Sequence, residues 1–151
     1  MLRVLIAVDG TPESNDAARF AHRLFGDEPE FLVVTVAETG ALIGGVLPLA
    51  DPTFAGGGAY ISPEVARESV ESAVHEAEET AIDVAREVED EQHAIVETGD
   101  PGEAIVRVAK ERNVDLIVVG SHDRGWFSRL ITPSVRDHLI NHAPCPVLVV
   151  R

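Results

Sequence analysis

The stretch Val118–Val135, VVGSHDRGWFSRLITPSV, holds the residues best placed for chemistry with a phosphorylated ligand. Gly120 closes an apolar run, and without a Cβ it lets another molecule's main chain or phosphates come close. Ser134 stands where a helix is expected to begin, and the free N–H groups of a helix start favour an anion. Two residues between them oppose that chemistry. Asp123 would set a carboxylate against the phosphates, a repulsion of about 1–4 kcal/mol at ~4 Å depending on the effective dielectric. Pro133 has no N–H and removes a donor. A magnesium ion between Asp123 and phosphate, or the charge of Arg124 or Arg129, could offset these losses. Near the other end of the chain, Asp9 directly follows the first apolar run. It could bond a ribose or hold magnesium; as a plain turn residue it would instead support the helix that follows.

Other reactive side chains point to less. His138 and His142 lie four apart, with His122 upstream, but metal ligation normally needs a third converging ligand, and none is marked. They are expected to be ordinary surface or helix-end histidines. Cys145 lies between Pro144 and Pro146, ahead of Val147, the setting of an inert buried thiol and not of a nucleophile. Glu68, Glu71, Glu76, Glu78, Glu79, Asp83 and Glu87 fall on what reads as the solvated face of a helix. Trp126 and Phe127 are expected to cap the core beneath their loop, with stacking on a base as the alternative. No Ser-His-Asp or Cys-His grouping stands out.

At 151 residues and 45% hydrophobic, the chain reads as one globular domain spanning 1–151. No apolar run approaches the ~18 residues of a membrane span, and the N-terminus lacks the pattern of a signal peptide. One cysteine allows no internal disulfide, so a reducing cytoplasm is the expected location. The formal charge of −14 weighs against nucleic-acid binding, which needs a basic footprint. Lys110 is the sole lysine, which fits either a high-salt cytoplasm or an acidic protein of an arginine-favouring genome.

The elements that must hold these residues alternate. Arg3–Val8 and Phe31–Val36 are short apolar runs of the kind covered on both faces. Between them, Thr11 and Pro12 open a helix carrying Ala17, Ala18, Ala21, Leu24 and Phe25 inward, and Gly26 ends it. Residues 38–61 are rich in glycine and proline and read as an irregular insertion more than a lid. Ser62 and Pro63 start a long helix whose small apolar stripe runs Ala66, Val70, Ala73, Val74, Ala77, Ala81, Val84, Ala85, Val88. A third strand, Ala94–Thr98, precedes a helix capped by Asp100. Asp115–Gly120 is the fourth strand, Ser134–His142 a helix with Val135 and Leu139 inward, and Pro146–Val150 the fifth strand. Such alternation gives a doubly wound parallel α/β sheet, with ligands bound beyond the strands' carboxyl ends.

The segments RVLIAVDGTPES, GDPGEAIVRVA, DLIVVGSH and HAPCPVLVVR together resemble the universal stress protein domain across nearly the whole chain. That resemblance implies a five-stranded parallel sheet of order 3-2-1-4-5 and a homodimer paired through Pro146–Val150. ATP-binding members carry Gly-x2-Gly-x9-Gly-Ser/Thr after the fourth strand. Gly120 and Ser134 match its ends, while Asp123 and Pro133 replace the other two glycines. Asp9, Val36, Val119, Gly120 and Val135 remain at positions like those the family uses for nucleotide. The implied function is a non-enzymatic, dimeric stress-response module with weakened or lost ATP binding. The alternative is a regulator that holds ATP or AMP through a magnesium-assisted loop.

Overall fold

The computed structural model describes residues 1–37, 62–88, 93–120 and 135–150. Five strands are present: β1 Arg3–Ala7, β2 Glu30–Ala37, β3 Ala94–Thr98, β4 Leu116–Gly120 and β5 Val147–Val150. Four helices join them in turn: α1 Pro12–Phe25, α2 Pro63–Val88, α3 Pro101–Glu111 and α4 Val135–His142. Every strand pairing is parallel, and the order across the sheet is β3-β2-β1-β4-β5, as expected from the resemblance.

Helices cover both faces, which explains why the strands lack polar alternation. On one face Leu5, Ala7, Leu32, Val34, Val36, Ile117 and Val119 pack against Ile105, Val108, Ala109, Val135 and Leu139 of α3 and α4. On the other, Val4, Ile6, Val8, Phe31, Val33 and Val118 meet Ala17, Ala18, Ala21, Val84 and Ala85 of α1 and α2. The caps are as the sequence suggests. Thr11 accepts from the Ser14 N–H, Ser62 from the Val65 N–H and Asp100 from the Glu103 N–H, each followed by proline at the first helical position.

Two expectations change. Leu24 is 56% exposed, because the last turn of α1 lies at the amino edge of the sheet, where Leu2 is exposed too. The α2 stripe is buried at Ala77, Ala81, Val84 and Ala85 but only partly at Ala66, Val70, Ala73 and Val74. Length explains the difference. A 26-residue helix runs about 39 Å, whereas the eight-residue β2 spans about 26 Å, so the helix outreaches the sheet it covers.

Candidate functional site

The crevice forms where the strand order reverses. The helix that follows β1, α1, lies on one face and the helix that follows β4, α4, on the other, so the chain departs in opposite directions from the carboxyl ends of these neighbouring strands. Ala7 is in register with Val119, which brings Asp9 and Gly120 to the same end of neighbouring strands.

Asp9 is held in a knot of short bonds. Its Oδ1 accepts from the Thr11 N–H at 3.1 Å and the Thr11 hydroxyl at 2.6 Å, and its own N–H donates to Ser14 Oγ at 3.2 Å. The Ser14 hydroxyl in turn donates to the Thr11 carbonyl at 2.9 Å. These bonds tie Asp9 to the first turn of α1, so Asp9 does support the helix that follows it. Between them Gly10 adopts a φ of +77° and faces Thr80 of α2.

Gly120 carries a packing constraint that its place in the sequence does not reveal. A Cβ built there would lie 3.0 Å from the Glu13 carbonyl oxygen and 3.3 Å from the Ser14 Cα. Its bare side is filled by the first turn of α1 and leaves no gap on that side for a phosphate. Val36, Val119 and Val135 are 2%, 3% and 8% exposed and belong to the core beneath α3 and α4. Asp123, Pro133 and Ser134 lie outside the described residues, as do His122, Trp126, Phe127 and the insertion at 38–61.

Ser14 is a residue that motifs do not mark. It is 6% exposed and joins Ala17, Ala18 and Ala21 on the inner face of α1. A hydroxyl at that helical spacing signals a buried group with a local partner, which here is the Asp9–Thr11 turn. Gly102 reads in the sequence only as part of a turn, yet a Cβ there would sit 2.9 Å from His138 Cγ, so it sets how closely α3 and α4 approach.

The remaining reactive groups agree with modest roles. Cys145 is half-buried and not fully buried as expected; partial burial, then the nearby Asp115 carboxylate, pushes its thiol above the ordinary range, away from the thiolate a nucleophile needs. The α2 carboxylates named above are exposed to solvent. His138 and His142 are stacked with ring centroids 4.3 Å apart. Among the described residues no helix is long and apolar enough to cross a membrane.

The family model described as the universal stress protein family matches residues 1–151. The chain belongs to this family. A universal stress protein of Methanocaldococcus jannaschii is 27% identical over 150 residues, covering 99% of this chain and 81% of that one. The solved structure of a second M. jannaschii family member superposes with a TM-score of 0.73 at 22% identity, covering 98% of this chain and 94% of that one. An Arabidopsis thaliana family member, solved with AMP bound, superposes with a TM-score of 0.59 at 20% identity, covering 99% and 91%. At these identities the two structures establish the universal stress fold.

Proposed function

We propose that this universal stress protein is a non-enzymatic, dimeric stress-response module that keeps the family's crevice but binds ATP weakly or not at all. The observation that carries the reading is the pair of substitutions in the phosphate loop. Asp123 and Pro133 stand at two of the three glycine positions, adding a repelling carboxylate and removing an N–H donor. The dimer would pair through β5, the edge strand beside β4, with the chain working in the cytoplasm.

A second reading draws support from the AMP-bound Arabidopsis relative. In it the crevice holds an adenine nucleotide, AMP or a magnesium-assisted ATP, as a regulatory ligand. Calorimetric titration with ATP and with AMP, each with and without magnesium, separates the two. The lead reading expects no micromolar ATP binding under any condition; micromolar ATP affinity would overturn it. AMP binding alone would mean that adenosine recognition persists without the phosphate cradle. Replacing Asp123 and Pro133 together with glycine should raise ATP affinity, and no gain in that variant would place the obstacle elsewhere.

A further inference from the structure

We propose that His138 and His142 form an open two-ligand site for a late first-row divalent transition metal, taking Cu2+ in preference to Zn2+ or Ni2+. The four-residue spacing sets both imidazoles on one side of α4, the arrangement by which a helix offers two nitrogens to one ion. Their rings lie 4.3 Å apart at an interplanar angle of 24°, near enough for modest tilting to bring both to a single ion.

Each ring is already held. His142 Nδ1 lies 2.9 Å from the His138 carbonyl oxygen. A carbonyl only accepts, so Nδ1 carries the hydrogen of this bond, and the neutral ring keeps its lone pair on Nε2. Metal-binding histidines are commonly oriented in this way, one nitrogen donating to the main chain and the other left for the ion. His138 is limited by packing instead. Its Cβ, Cγ and Cδ2 rest against Gly102 so closely that a Cβ on that glycine would lie 2.9–3.0 Å from them. Val135 and Leu139, buried on the stripe of α4 next to the histidines, anchor the helix to the sheet.

Donor chemistry decides which ion. The net charge of −14 attracts any cation, but paired imidazoles favour the later transition metals over magnesium and calcium, which prefer oxygen ligands. Among the described residues no group of three or more His, Cys, Asp or Glu is placed to hold a metal ion. In a two-histidine site water completes the coordination, which makes the site weaker than a closed structural one and freely exchanging. His142 is exposed and His138 half-buried, so the ion has access from solvent.

The test uses the full chain, titrated calorimetrically at neutral pH with CuCl2, ZnCl2, NiCl2 and MgCl2 in turn, and electron paramagnetic resonance of the copper-loaded protein. The expected result is one saturable site with Cu2+ bound most tightly, no competition from millimolar Mg2+, and coupling of copper to two imidazole nitrogens. His142→Ala, which removes an exposed side chain, should lower Cu2+ affinity at least about tenfold and reduce the coupling to one nitrogen or none. His138→Ala should do the same, while His75→Ala and Cys145→Ser leave affinity unchanged. Wild-type affinity in His142→Ala, or displacement of Cu2+ by equimolar Mg2+, would overturn the proposal in favour of carboxylate or other binding.

Discussion

At Gly120 one missing atom decides how a helix meets a strand. The neighbour facing it is the main chain of Glu13 and Ser14, which cannot swing aside as a side chain could. Gly120→Ala would therefore push the first turn of α1 off β4, or strain the end of β4, at a cost of about 1–3 kcal/mol, as for other overpacked sites. In a chain of this size that lowers Tm by several degrees, roughly 2–4 °C per kcal/mol. Thermal unfolding without nucleotide is the measurement that matters. An unchanged Tm would mean that this glycine serves a ligand and not the fold. From sequence the residue is legible as one needing room, but its neighbour is not, because local spacing cannot say which element fills the space. Asp9 is the opposite case. Asp-Gly-Thr-Pro reads as a turn into a capped helix, and the observed bonds to Thr11 are those that reading requires.

Elements are more legible than the contacts between them. The apolar runs at Leu5, Val33 and Val118 could belong only to strands covered on both sides, and Thr11-Pro12, Ser62-Pro63 and Asp100-Pro101 each mark a helix start. Leu24 and the first half of α2 depart from expectation because periodicity finds a face without finding where the sheet beneath it ends. The edge strand β5 carries a sharper consequence. The Ile117 N–H donates to the Pro146 carbonyl, so alternate residues Leu148 and Val150 also turn their main chain toward β4. Val147 and Val149 then turn theirs outward. Val149→Pro removes an outward N–H while leaving the β4 ladder in place. If β5 pairs with a second copy, analytical ultracentrifugation should find the variant shifted toward monomer, with its unfolding transition still cooperative. A variant that associates like the parent chain would exclude main-chain pairing through this edge.

At the scale of the whole molecule, charge is the dominant unexplained quantity. Twenty-six carboxylates face twelve Lys and Arg side chains, a difference of 26 − 12 = 14. Among the described residues the ion pairs are mostly solvent-exposed, such as Arg19 with Glu87 and Arg67 with Glu71, and pairs of that kind contribute little each. Repulsion among the excess carboxylates therefore outweighs them, and α2 concentrates it, with Glu68, Glu76 and Glu78 all exposed. Between about 0.1 and 1 M KCl the Debye length falls from ~10 to ~3 Å, which shortens that repulsion to near neighbours. Tm should rise across this range. Were the ion pairs in control, it would fall instead. General salting-out could also raise Tm, so the slope must be compared with that of the triple variant Glu68→Gln, Glu76→Gln, Glu78→Gln. Relief of charge repulsion requires that variant to start higher at low salt and gain less from KCl. Equal slopes in the two proteins would assign the salt effect to water and not to the carboxylates, and with it remove any reason to read this composition as adaptation to a saline cytoplasm.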